Sequence, residues 1–194
     1  SLEPQAGCPA WARGSCALAR FGQHGQGYRC AVAEALLGGG RQAVAFDFIR
    51  YAPFLAVGVH AEPRQMSTGP LGHYGWIGET PGGVCLYQGS RVRHDGRDLQ
   101  PSPRLLATEL LSSLFVEGVS VAIVVDHETR SLSWLVFPGP QLKPVAFCVE
   151  LPEPLVGRPL VPAVSGTNST RAVVRVRVED PLHPCWRSGL DPLE

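Results

Sequence analysis

The sequence predicts an all-β protein, a sandwich of short strands, and three observations carry that prediction. Residues 119–125 form an apolar run that is rich in β-branched side chains and too brief for a long helix. After the polar break Asp126-His127-Glu128-Thr129-Arg130, the residues Leu132, Trp134 and Val136 alternate with Ser131, Ser133 and Leu135. That is the period of two expected of a strand. Glycine and proline, 22 and 18 of 194 residues, then punctuate the chain at short intervals, as in all-β sandwiches. Pro138-Gly139-Pro140 stops the second strand and 144–149 offers a third. The stretch 118–147 therefore reads as a β-meander.

Taken in order, residues 1–14 read as an irregular lead-in, because Pro4, Gly7, Pro9 and Gly14 interrupt them. The runs 16–21 and 28–33 read as two strands of a hairpin around the glycine-rich loop 22–27. That loop lacks GxGxxG spacing and no long helix follows it, so it reads as a turn and not a phosphate cradle. Another turn, 36–40, feeds a strand over 42–49, with Phe46 and Phe48 on one face and Asp47 on the other. A strand over 54–59 leads into a long loop, 61–72, of the kind that carries function on compact domains. Residues 84–87 form a strand, and 91–97 continue through a turn at His94-Asp95-Gly96. Ser102 and Pro103 fit the start of a short helix near 103–113, where Leu105, Leu106, Leu110 and Leu111 recur. The last strand spans 172–178, with Val174, Val176 and Val178 opposite Arg175 and Arg177. One sandwich domain over 15–180 is thus expected, followed by a Pro-rich tail over 181–194.

A chain of this length buries about 70% of its unfolded surface without a metal or disulfide staple. Lys+Arg and Asp+Glu both total 17, so no net charge favours nucleic acid or an anionic membrane. Six cysteines lie at wide spacings with no CxxC pair, which favours reduced thiols and an intracellular, cytoplasmic home. Asn168-Ser169-Thr170 is formally a glycosylation sequon but matters only in a secreted protein. No apolar run reaches membrane-spanning length, and no signal pattern opens the chain.

Enzymatic chemistry leaves constellations, and this sequence shows none of those sought. It has no GxSxG, no HExxH and no Walker loop. No strand alternates acidic residues so as to face two carboxylates on a sugar. His94-Asp95 and Asp126-His127-Glu128 are the densest titratable clusters, and both fall in predicted turns, where His is ordinarily solvated. No two histidines are spaced as zinc ligands, so neither a metal nor a cofactor is expected. Arg91, Arg93 and Arg97 form a small basic patch near Tyr87 that suits a protein contact better than RNA.

Four blocks together resemble the SPRY domain, a B30-type protein-interaction family. Gly118, the run 119–125, Asp126 and Leu132-Ser133-Trp134 stand in the places of its characteristic hairpin. Phe54 to Val59, then Tyr74-Gly75-Trp76 with Leu86-Tyr87-Gln88 and His94-Asp95-Gly96-Arg97, then Leu160 to Ser165, follow in the family's order. The resemblance spans residues 16–180. It implies two antiparallel sheets in a bent, concanavalin-like sandwich, with Trp76 and Trp134 in the core. It also implies a non-catalytic module that binds a protein or peptide through loops at one edge, as in TRIM-type and SOCS-box-adaptor proteins that recruit substrates to a ubiquitin ligase. Those loops are 60–73 and 166–170, and the adaptor subgroup's Val-Trp-Gly is missing from the second. The expected contact residues are Arg64, Met66, Tyr74, Tyr87, Arg91, Arg93, Thr167 and Asn168. The domain is expected to be monomeric within a larger chain, with no nucleic-acid or membrane partner. A lectin-like carbohydrate binder and a purely structural domain are the rival readings. The first would need clustered Asp/Asn for calcium or an exposed aromatic platform, and neither stands out.

Overall fold

A strand with one apolar face must bury that face against a second layer, and the computed structural model shows two sheets doing so. The structure describes residues 2–4, 16–20, 28–32, 37–50, 55–61, 77–87, 91–101, 115–137, 145–167 and 173–179, with the backbone alone at 2–4, 16–20, 28–32, 167 and 177–179. The seven-stranded sheet runs, in spatial order, β1 (Leu2–Pro4), β2 (Cys16–Arg20), β13 (Val173–Glu179), β4 (Arg41–Arg50), β9 (Ser120–Asp126), β10 (Ser131–Phe137) and β11 (Val145–Glu150). The six-stranded sheet runs β3 (Tyr28–Val32), β12 (Val161–Thr167), β5 (Ala56–His60), β6 (Gly83–Tyr87), β7 (Arg91–His94) and β8 (Arg97–Leu99). Every pairing among these strands is antiparallel.

The meander expected over 118–147 is β9, β10 and β11, paired in order. Two expectations need correction. The strands at 16–20 and 28–32 do not form a hairpin: β2 pairs with β1 and β13, whereas β3 pairs with β12 in the other sheet. Two strands adjacent in sequence can enter opposite layers, and a local pattern cannot tell which. The lead-in is also not wholly irregular, since β1 adds to β2 at the sheet's edge. Pro4 is tolerated there because an edge strand has one side without ladder bonds. Pro162 is placed by similar logic: it pairs with Val59 of β5 but lies beyond the end of β3, whose pairing with β12 starts at Ala163. The glycine loop 22–27, most of the loop 61–72, the helix expected near 103–113 and the tail from 181 fall outside the described residues.

The core lies between the sheets. Phe46, Phe48, Val121, Ile123, Val125, Leu132, Trp134, Val136 and Phe147 of the larger sheet meet Val57, Val59, Val84, Leu86, Val92 and Val164 of the smaller. Phe115 packs edge-on against Phe48, with ring centroids 4.8 Å apart, a geometry worth about 0.5–1.5 kcal/mol beyond the area buried. The other side of the larger sheet is apolar too, with Ala43, Ala45, Ala122, Val124 and Leu135 all buried. Burial on both faces explains why 121–125 is a continuous apolar run and does not alternate.

The polar turns are built, not merely solvated. Asp126 Oδ1 accepts the backbone N–H groups of Glu128 and Thr129, both at 3.0 Å, and the loop closes with Arg130 in the left-handed region at φ 52°. The imidazoles expected to be solvated are anchored instead. His127 Nε2 donates to Leu37 O at 3.2 Å and His94 Nδ1 donates to Gly83 O at 2.9 Å. Slight burial would raise the Asp126 carboxyl. The N–H groups of Thr129 and Glu128, the Thr129 hydroxyl and the Arg41 guanidinium outweigh it and hold the group below the usual carboxylate range. A carboxyl depressed on folding adds stability that is complete above its unfolded pKa of about 4 and is lost as pH falls through the lower folded value. Asp126→Asn keeps the acceptor oxygen and should flatten that acid limb, while Asp126→Ala should cost about 1 kcal/mol near neutral pH. Thermal unfolding from roughly pH 2 to 7 checks both results.

Candidate functional site

The outer face of the six-stranded sheet carries the densest polar construction among the described residues. Its central strands present small residues there: Ala56 and Gly58 on β5, Cys85 on β6, and Ala163 on β12. Small side chains leave room for a second layer, and the short 3-10 turn Ile77–Glu79 fills it, with Ile77 buried against Ala56, Cys85 and Ala163. The fit is close. A Cβ on Gly78 would lie 2.8 Å from Arg93 O and 2.9 Å from Cys85 Sγ.

Polar side chains from several strands hold this turn down. Ser165 of β12, fully buried, accepts the Ile77 N–H at 3.3 Å. His60 of β5, also fully buried, shares a 2.9 Å hydrogen bond between Nε2 and Thr80 Oγ1. Gly96, in the β7–β8 turn with Asp95 and Gly96 both at positive φ, donates its N–H to Gly78 O at 2.9 Å. Glu79 Oε1 lies 2.9 Å from Arg93 Nε, although that N–H is not directed at a hydrogen-bond acceptor. Burying a serine and a histidine is costly unless each is satisfied, so these bonds fix the turn's place.

Three of the expected contact residues come together beside it. Cys30, Ser165, Ala56, Tyr87 and Arg91 are successive Cα partners across β3, β12, β5, β6 and β7. Ala163, Gly58, Cys85, Arg93 and Asp98 form the next row with the same facing. Tyr87, Arg91 and Arg93 therefore share the outer face, with Tyr87 half-buried against the Ile77 cluster. Arg97 does not join them. It pairs with His94, one position out of phase, so the expected three-arginine patch loses a member. The patch is also charge-compensated, because Arg91 lies 3.9 Å from Asp98 and Arg93 pairs with Glu79. At 65% and 47% exposure the Arg91–Asp98 pair adds little stability, at most about 1 kcal/mol, and Arg91 can exchange partners at low cost.

Thr167 ends β12 opposite Tyr28, two positions past Ser165. Arg64, Met66, Tyr74 and Asn168 lie outside the described residues, as does Trp76. Glu79, Asp98, Ser165 and His60 were not singled out from the sequence. Ser165 stands in a recognised block, but its partner Ile77 is 88 positions away and no local spacing signals the bond. Cys85 and Cys148 are both thiols and form no disulfide. Among the described residues no group of three His, Cys, Asp or Glu is placed to hold a metal ion, and no helix is long and apolar enough to cross a membrane.

No protein-family model matches the sequence, and no curated protein matches it. Solved structures do match the fold. The SPRY domain of human HERC1 aligns with a TM-score of 0.53 and 17% identity, covering 86% of this chain and 89% of that one. The fold is of the SPRY type. The PSpry domain of TRIM65 aligns at TM-score 0.50 and 14% identity over 78% of this SPRY-type chain and 69% of its own. The stonustoxin structure contains a similar unit, at TM-score 0.51 and 9% identity, covering 78% of this chain and 21% of that one. At such identities the SPRY-type likeness concerns architecture. The function has to be argued from the residues.

Proposed function

We propose that this SPRY-type domain is a non-catalytic protein-interaction module that binds a peptide or surface of a partner through one edge of its sandwich. The observation that carries the reading is the outer face of β6 and β7. There a half-buried tyrosine and two arginines stand on a rigid sheet beside a pinned turn. Tyrosine and arginine are the side chains that dominate interface energetics, and a rigid scaffold lets neighbouring loops vary without loss of the core. The contact set is Arg64, Met66, Tyr74, Tyr87, Arg91, Arg93, Thr167 and Asn168, and in a larger chain such a module would recruit substrates to a ubiquitin ligase or clients to a scaffold. The reading needs no cofactor.

The test compares the native domain with a variant carrying Arg64→Ala, Tyr87→Ala and Asn168→Ala, shown to be folded by circular dichroism. A partner captured from lysate is purified, and its affinity for each form is measured by calorimetry. The variant should bind at least about tenfold more weakly, since each lost anchor of this type costs on the order of 1 kcal/mol or more. Equal affinity would reject this surface.

A further inference from the structure

We propose that Thr80 is a phosphorylation site for a proline-directed kinase, and that the phosphate releases the 77–83 turn from the sheet beneath it. The effect on partner binding rests on the interaction reading above; the effect on the turn does not. Thr80-Pro81 is one of two Ser/Thr-Pro dipeptides in the sequence, the other being Ser102-Pro103. Such a dipeptide is common, so the argument rests on where this hydroxyl sits. Thr80 is half-buried between exposed Glu79 and Pro81, in a turn at the protein surface. Its Oγ1 shares a 2.9 Å hydrogen bond with Nε2 of His60, which is fully buried. Gly82 and Gly83 close over the same ring: a Cβ on Gly82 would lie 2.8 Å from Cε1, and one on Gly83 2.7 Å from Cδ2. The 2.9 Å contact itself leaves no room for a phosphoryl group between the imidazole and Oγ1, and the close approach of Gly82 and Gly83 keeps the ring from moving aside.

In the transfer, Thr80 Oγ1 attacks the γ-phosphorus of ATP. The new O–P bond forms as the bond from that phosphorus to the oxygen bridging the β-phosphate breaks. ADP leaves, and the hydroxyl proton passes to the kinase's base. The product carries a charge of about −2 and three new acceptor oxygens. It cannot stay at the buried end of the His60 bond without a large desolvation cost, and the neighbouring Glu79 carboxylate repels it. The phosphate therefore turns outward and the latch to His60 is lost. Cys85 reports the change, because this fully buried thiol lies directly under Gly78.

The experiment uses the folded chain with Ser102→Ala, so that one Ser/Thr-Pro dipeptide remains. It is treated with a purified proline-directed kinase and ATP, then with iodoacetamide. Peptide mass spectrometry reads phosphate at Thr80 and alkylation at Cys85. Phosphate should enter the folded chain, and Cys85 should alkylate about tenfold faster or more, as expected when a local opening becomes favourable. Thr80→Glu, checked for folding by circular dichroism, should show the same acceleration without kinase. Phosphorylation of the heat-unfolded chain alone would overturn the proposal, as would a phosphorylated chain whose Cys85 stays protected. A phosphorylated chain that binds its partner unchanged would refute the regulatory consequence. If the unmodified chain captures no partner, the interaction reading fails, and the thiol result still decides whether phosphate opens the turn.

Discussion

Trp134→Ala should lower the stability of this domain by about 3–5 kcal/mol, the largest loss expected of any single side-chain truncation here. Trp134 is fully buried and lies at the centre of β10, with β9 on one side and β11 on the other. Its ring fills the space between the sheets, and Nε1 donates across that space to Val57 O of β5 at 3.3 Å. Truncation therefore removes apolar contact with the core, opens a cavity and leaves a buried carbonyl without that donor. Those terms separate experimentally. Trp134→Phe keeps most of the apolar area and loses the hydrogen bond, so it should cost less, about 1–3 kcal/mol. Urea unfolding followed by far-ultraviolet circular dichroism measures both. An alanine variant within 1 kcal/mol of the native chain (roughly the effect of a surface change) would show that the tryptophan is not a core residue.

Gly58→Ala should be comparably damaging although it adds only a methyl group. A Cβ at position 58 would stand 2.0 Å from Val84 O and 2.7 Å from Cys85 Cα, and both obstacles are backbone in the paired strand β6. No rotamer change relieves such a contact, so β5 and β6 must separate. The expected loss is about 3 kcal/mol or more, at the upper end of what overpacking produces. Gly38→Ala is the control, because its Cβ would meet only Pro159 at an ordinary 3.8 Å and should leave stability within about 0.5 kcal/mol. Thermal unfolding of the two variants side by side gives the result. Equal melting temperatures would mean that β5 and β6 are not packed as described.

These two sites differ in how far the sequence foretells them. Trp134 alternates with Ser133 and Leu135 in a strand pattern, so its burial follows from periodicity together with a partner sheet. Gly58 sits in an apolar run where alanine would look equally acceptable, and only the approach of β6 shows otherwise. The candidate surface divides in the same way. Arg91 and Arg93 stand two positions apart, which is enough to expect them on one face of a strand, whereas Tyr87 joins them only through the β6–β7 register. That Arg97 falls out of phase depends on the β7–β8 register, which the two-residue turn at Asp95 and Gly96 sets. The counter-charges Glu79 and Asp98 come from a separate turn and an edge strand.

The all-β class, the meander over 118–147 and most strand positions are legible in the sequence, because side-chain alternation and Gly/Pro breaks act within a few residues. Which sheet each strand enters, as with β2 and β3, and the anchoring of one turn to the outer face by Ser165, His60 and Gly96 come only with assembly of the layers. The physical reason is range. Backbone preference and amphipathic pattern are local, whereas sheet membership and polar satisfaction are settled between residues dozens of positions apart, when the layers close and water is expelled.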